Sequence, residues 1–263
     1  MDTGLRNKSC LITGGNSGIG YGIAKVLAQE GVRLFVVARD EHEEEMRSLR
    51  AIQPDTQFLQ VDVSSETAVV EMVQRAISAC DGIDLFVNNA AGAWHEPVTR
   101  ISADAFRKTI DTNLAACVWA GREISRHMIS RHSGSLLIVG STVRVSPAYG
   151  EAAYRISKMG LKMYMETLAL ELAPHKIRAN MITPGHFPTR LTAGLKPEHE
   201  PKLRHEIPLR RFGEPSECGY AAAFLLSDRL SSFVTGADLV VDGGLSLRPL
   251  ALISDEQITD LNS

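Results

Sequence analysis

Short runs of β-branched and other apolar residues alternate along the chain with longer stretches whose apolar positions recur three and four residues apart. The first pattern predicts strands and the second predicts helices. Strands are expected at Lys8–Thr13, Arg33–Ala38, Thr56–Val61, Asp84–Val87, Ser135–Val139, Ile177–Ile182 and Asp238–Val241. Helices are expected near Gly18–Glu30, Glu41–Ile52, Glu66–Cys80, Ala103–His132, Ala152–Ala173 and Pro215–Leu226. Such alternation implies right-handed crossovers, hence an α/β fold: a doubly wound parallel sheet with helices on both faces. Ligands of these sheets bind outside the carboxyl ends of the strands. One stretch interrupts the pattern. Pro184–Pro208 holds five prolines and several charges, and reads either as a lid over the site or as a plain surface excursion.

Composition narrows the picture. The 263 residues suit one domain, residues 1–263, with a C-terminal tail at 245–263. Hydrophobic residues at 44% and charged residues at 22% fit a globular protein. A net charge of −3 gives no reason to expect a nucleic-acid or membrane partner. The start, MDTGLRNKSC, has no long apolar run, and no stretch of 18 apolar residues follows, so a cytoplasmic location is expected. Cys10, Cys80, Cys117 and Cys218 form no CxxC and read as small packing residues. The eight histidines show no metal-ligand spacing, so no metal is expected.

The first strand runs into Thr13-Gly14-Gly15-Asn16-Ser17-Gly18-Ile19-Gly20, a glycine-rich turn that opens a helix. Backbone N–H groups there can approach a pyrophosphate, whose charge the helix N-terminus favours. The spacing is GxxxGxG rather than GxGxxG. At the end of the second strand, an acid would bind a ribose 2′-hydroxyl and a cation would bind a 2′-phosphate. Ala38 stands where the acid is expected and Arg39 follows, which favours NADP(H). NAD(H) remains the alternative, with Asp40 on the ribose and Arg39 a solvated charge.

Tyr154 and Lys158 are four residues apart in a helical stretch and share one face. A free phenol has a pKa of about 10. A neighbouring ammonium is expected to lower that value, making the tyrosine an acid/base for an alcohol or its alkoxide. Ser141 follows the apolar run Leu136–Val139 and Gly140, so its hydroxyl belongs at the carboxyl edge of the sheet. Asn113 sits in Asp111-Thr112-Asn113-Leu114, inside a long helical pattern to which an asparagine is poorly suited. Singly, each of these reads as a satisfied polar group or a surface pair.

Together, and in this order from Cys10 to Gly244, the motifs resemble the short-chain dehydrogenase/reductases, in their soluble single-domain branch. The resemblance implies a Rossmann-like NAD(P)-binding domain. By it, Gly14, Asn16, Ser17, Gly18, Ile19 and Gly20 would hold the pyrophosphate, and Asp62-Val63 the adenine. Asn89, Ala90 and Gly92, in Asn88-Asn89-Ala90-Ala91-Gly92, would line the cofactor, with Pro184, Gly185, Phe187 and Thr189 over its carboxamide. Asn113, Ser141, Tyr154 and Lys158 would be the catalytic tetrad. In it, Ser141 orients the substrate oxygen and Tyr154 moves the proton. Lys158 holds the nicotinamide ribose and lowers the tyrosine pKa, and Asn113 supports a water. A homotetramer built on the Ala103–His132 and Ala152–Ala173 helices is also implied. Two departures stand out: the extra Ala91 in the fourth-strand motif, and Arg155-Ile156 where the family often has small residues.

A small-molecule carbonyl or secondary alcohol is the implied substrate. Candidates to touch it flank the tetrad: Trp94, His95, Val143, Arg144, Tyr149 and His186. A 3-oxoacyl thioester leads, ahead of a small ketone or polyol and a specialised-metabolite ketone. A regulatory protein that kept the cofactor fold without catalysis is the rival class, and the intact Tyr154 and Lys158 speak against it.

Overall fold

The computed structural model describes residues 2–142, 149–189 and 200–247. Val143 and Arg144, residues 190–199 of the proline-rich stretch, and the tail beyond residue 247 lie outside the described residues. The strands are β1 Ser9–Thr13, β2 Arg33–Ala38, β3 Gln57–Gln60, β4 Leu85–Asn88, β5 Gly134–Val139, β6 Ile177–Pro184 and β7 Asp238–Val241. The helices are α1 Gly18–Gln29, α2 Glu43–Ile52, α3 Glu66–Ala79, α4 Ala103–Ile110, α5 Ala116–Arg131, α6 Ala152–Leu172, α7 Glu200–Glu206, α8 Pro215–Leu226 and α9 Asp228–Ser231.

The strands form one parallel sheet in the order β3-β2-β1-β4-β5-β6-β7. Alternation along each strand explains why helices cover both faces. Leu11, Phe35, Val37, Phe86, Leu136 and Ile138 pack on one side with α3, α5 and α6. Ile12, Leu34, Val36, Val87, Leu137 and Val139 pack on the other with α1, α2 and α8. Each such fully buried side chain contributes about 1.5–3 kcal/mol. The chain leaves β1 toward β2 and β3, then crosses back to β4 on the other side of β1. That reversal opens a crevice between the carboxyl ends of β1 and β4, where such sheets bind ligands.

Three features differ from the sequence pattern. The expected single helix Ala103–His132 is two helices joined by a π-helical turn, Asp111–Ala115. One extra residue per turn there turns Asn113 inward, where it is buried. The stretch Pro184–Pro208 is not structureless, since it contains α7. Finally, α9 follows α8 at once, started by the Ser227 side chain, which accepts from Leu230 N–H at 3.0 Å.

A buried arginine secures the C-terminal end of α8. Arg178 on β6 donates to the carbonyls of Leu225 (2.7 Å) and Leu226 (3.2 Å) and pairs with Asp228 at 3.0 Å. The last carbonyls of a helix lack intrahelical partners and carry its negative pole, so a guanidinium there satisfies both needs. Among the described residues no helix is long and apolar enough to cross a membrane.

Candidate active site

A cleft of about 520 Å³ opens at the crevice between β1 and β4. Its floor is the turn between β1 and α1. Gly14 and Gly18 adopt φ of 65° and 51°, in the left-handed region that a side chain disfavours. The turn is tied from both sides. Gly14 N–H donates to Val37 O at 2.6 Å, and Asn16 Nδ2 donates to Asp40 O at 2.7 Å. Asn89 Nδ2 donates to Thr13 O (3.1 Å) and Gly14 O (3.0 Å), while Thr13 Oγ1 accepts from the N–H groups of Asn89 and Ala90. A Cβ on Gly20 would strike the Gly14 carbonyl oxygen and Asn89 Nδ2, so only glycine lets α1 start this close to the strand. Ser17, the N-cap of α1, makes no side-chain cap bond. Ser17, Gly18, Ile19 and Gly20, at the start of this twelve-residue helix, line the cleft, and a helix N-terminus favours an anion.

One end of the cleft lies beyond β2 and β3, where Arg39, Asp40, His42, Asp62, Val63 and Ser64 line it. Arg39 Nε stands 3.4 Å from Asp40 Oδ2, and both side chains are exposed. Asp62 accepts from Ser64 N–H at 2.9 Å, and its carboxyl is held below the ordinary range first by bonds from Ser64 and then by Arg39 and Lys108.

The other end carries the side chains expected to react. Tyr154 and Lys158 occupy one face of α6 and line the cleft beside Val139 and Gly140. Lys158 is fully buried; its Nζ donates to Val139 O at 3.1 Å and stands 5.7 Å from the centre of the Tyr154 ring. Burial lowers the lysine pKa to about 8. The Tyr154 pKa is raised, chiefly by burial, against a hydrogen bond with Ser141 that lowers it. The expected lowering by Lys158 is absent from this arrangement, because the ammonium points at a carbonyl and is itself weakened by burial. Tyr154 therefore stands as a neutral phenol near neutral pH.

Asn113 lies behind this pair. Its Oδ1 accepts from Gly92 N–H at 2.8 Å, and its Nδ2 donates to Gly92 O at 2.9 Å and Ser157 Oγ at 3.1 Å. Ser157 in turn donates to Tyr154 O at 2.6 Å. The amide thus has both donors committed and one acceptor lone pair left. It locks the loop after β4 to the helix that carries the tyrosine.

The cleft gathers Gly14, Asn16, Ser17, Gly18, Ile19, Gly20, Arg39, Asp62, Val63, Asn89, Ala90, Gly92, Trp94, Tyr154, Lys158 and Thr189. Ser141 joins them through Tyr154. Other expected residues stand apart. His95 is exposed, and Tyr149 is 86% exposed. Pro184 is buried at the end of β6, and Gly185 N–H donates to Val241 O at 2.9 Å. Phe187 is buried against Gly213, and with His186 it lines a second hollow of about 470 Å³ beside Leu209 and Val241. Sequence reasoning missed His42, Ser64, Lys108 and Thr112 on the cleft wall. It also missed Ser157, although a serine three residues after the tyrosine was a readable signal.

Comparison with known proteins agrees with this geometry. The family described as Enoyl-(Acyl carrier protein) reductase matches residues 14–246. The 3-oxoacyl-[acyl-carrier-protein] reductase FabG of Chlamydia pneumoniae is 34% identical over 248 residues, covering 94% of this chain and 100% of that protein. The human 3-oxoacyl-[acyl-carrier-protein] reductase is 35% identical over 245 residues, covering 92% and 99%. Among solved structures, an Agrobacterium tumefaciens protein assigned as a 2-deoxy-d-gluconate 3-dehydrogenase, with bound NADP, superposes with a TM-score of 0.87. It is 26% identical and covers 94% of this chain and 99% of its own.

Proposed function

Because the chain belongs to the short-chain dehydrogenase/reductase family of oxidoreductases, we propose that it reduces ketones with NADPH and that 3-oxoacyl thioesters are its substrate class. The observation that carries this reading is the Ser141–Tyr154–Lys158 arrangement at the inner end of a glycine-floored cleft. The cleft residues fit a dinucleotide: a diphosphate suits Gly14–Gly20 and the start of α1, and Arg39, on the cleft wall, would meet a 2′-phosphate. Bound there, the cofactor supplies the hydride.

The chain's own groups handle the oxygen and the proton. The hydroxyls of Ser141 and Tyr154, already bonded to each other, can both donate to one carbonyl oxygen. As that oxygen gains charge, the Tyr154 O–H bond breaks and the proton moves onto it. The tyrosinate left behind keeps its hydrogen bond with Ser141, which favours the charged form. Ser157 and Asn113 keep the helix turn and the Gly92 loop fixed meanwhile. Burial raises the Tyr154 pKa, so the phenol is the form present when a carbonyl enters.

The thioester assignment draws on the FabG relatives, and NADP(H) draws on Arg39 and the NADP-bound neighbour. Titration with NADPH and NADH, followed by turnover of acetoacetyl-coenzyme A and of sugar acids, tests both. NADPH preference with thioester turnover is expected. Inert thioesters alongside active sugar acids would overturn the substrate class, and NADH preference would move the ribose contact to Asp40.

A homotetramer belongs to the same reading. Exposed Ile156, Met159, Met163 and Leu170 form one apolar face on α6, and Tyr220, Phe224, Leu239 and Val240 form another on α8 and β7. Two separate self-complementary faces close a tetramer of dihedral symmetry. Light scattering should give four times the chain mass of 28.7 kDa, and a monomer would refute the assignment.

A further inference from the structure

The open side of the cleft holds a cation that the mechanism leaves unused. Lys108, on the last turn of α4, lines the cleft, and its Nζ stands 5.0 Å from the centre of the Trp94 ring. Trp94 packs over Gly92, the residue that Asn113 clamps through both its N–H and its C=O. The aromatic face therefore sits on a fixed loop and favours one placement of a lysine that would otherwise wander. Among the described residues no carboxylate forms an ion pair with Lys108.

The charges around it define what the ammonium can meet. Arg39, Asp40, Asp62 and Lys108 all line this cleft, and Arg39 and Lys108 both act on the Asp62 carboxyl. Arg39 already has Asp40 at 3.4 Å. Two carboxylates against Arg39 alone would leave this end net negative and hostile to a phosphate. Lys108 restores the balance.

We propose that Lys108, steadied on Trp94, is a second cationic contact for the 2′-phosphate end of the dinucleotide and shares with Arg39 the selection of phosphorylated over unphosphorylated cofactor. This rests on the reading that the cleft takes NADP(H). Trp94 is then a positioning residue for Lys108 rather than part of the substrate wall. The contact assembles from β2, α4 and the loop after β4, so selectivity is not a property of the β2 end alone.

The probes are 2′,5′-ADP and 5′-AMP, titrated by calorimetry into the wild type, Lys108→Met, Lys108→Arg and Trp94→Leu. Wild type binding 2′,5′-ADP more tightly than 5′-AMP is the premise, and its failure would remove the NADP(H) reading and this inference together. With that preference present, Lys108→Met should weaken 2′,5′-ADP about tenfold, the scale of one charge-assisted hydrogen bond. It should leave 5′-AMP within about twofold, and Lys108→Arg should restore most of the loss. Trp94→Leu should weaken 2′,5′-ADP in the same direction by a smaller factor. Equal losses on both probes would place Lys108 on the phosphate they share and overturn the assignment. So would an unchanged 2′,5′-ADP affinity in Lys108→Met, with the NADP(H) reading left standing. Lys108 is exposed, so its removal leaves no hole in the core.

Discussion

Replacing Lys158 with methionine should make the cofactor-free protein more stable at neutral pH while abolishing turnover. Lys158 is fully buried, and burial lowers its pKa from the ordinary 10.5 to about 8. Below pH 8 the native state holds a buried ammonium, and the cost of that charge is fully present. Between pH 8 and 10.5 the native lysine loses its proton before the unfolded one does, so the unfolded state binds more protons and wild-type stability rises with pH. Above 10.5 the cost is gone. At about 1.4 kcal/mol per pH unit for one proton, the window corresponds to about 3 kcal/mol. Methionine has nearly the same length and no charge. Its substitution forfeits the hydrogen bond to Val139 O, worth about 1 kcal/mol. The net gain is about 2 kcal/mol at pH 7. Urea unfolding of both proteins at pH 7 and pH 10 reads this directly, since titrations elsewhere in the chain cancel in the difference. The gap between the two stabilities should narrow, and then reverse sign, as pH rises. A variant less stable than wild type at pH 7, or a difference that does not change with pH, would refute the claim that a charged lysine is buried there at a cost.

Tyr154→Phe should abolish reduction while leaving NADPH affinity within about twofold, because the lost hydroxyl is the proton donor and one hydrogen bond is a small part of cofactor binding. Near-normal turnover in stopped assays would remove the acid role. Arg39→Ala should weaken NADPH much more than NADH in equilibrium titration, whereas equal effects would mean that Arg39 does not read the 2′-phosphate. Asn113→Ala should destabilise the protein by about 2–4 kcal/mol in urea unfolding, since it strands both the N–H and the C=O of Gly92. A change below about 0.5 kcal/mol would show that the Gly92 clamp is not a structural tie.

Most of the fold could be read because its signals are local. Strands β1, β2 and β5 each hold an unbroken apolar run, Cys10–Ile12, Leu34–Ala38 and Leu136–Val139, as strands buried on both faces tend to, and the helices between them have an apolar stripe. The placement of Tyr154, Lys158 and Ser141 was also readable, because the first two lie one helical turn apart and Ser141 lies just past a strand end. The π turn at Asp111–Ala115 was not. Its cause is tertiary: Asn113 gains Gly92 and Ser157 as partners, and the chain accepts a poorer local helix to reach them. The environment of Lys158 was hidden for a similar reason. Spacing says that two side chains share a face, but not that one of them bonds to a β5 carbonyl in a dry interior. Trp94 follows a glycine motif near the tetrad, and its ring lies over Gly92 toward α4, a direction that spacing does not give. Which way a loop side chain turns depends on a helix from elsewhere in the sequence.

The same buried amide links the two ends of the cleft. Asn113 fixes the Gly92 loop, that loop carries Trp94, and Trp94 steadies Lys108 on the helix turn just before the π segment. On its other side Asn113 reaches Ser157 and, through it, the carbonyl of Tyr154. A change at this residue would therefore reach both the Gly92 loop and the helix turn that carries Tyr154. Asn113 stands buried within the π segment, while Lys108, on the last turn of α4, lines the cleft. The poorer local helix at Asp111–Ala115 is offset by the three hydrogen bonds that Asn113 makes to Gly92 and Ser157.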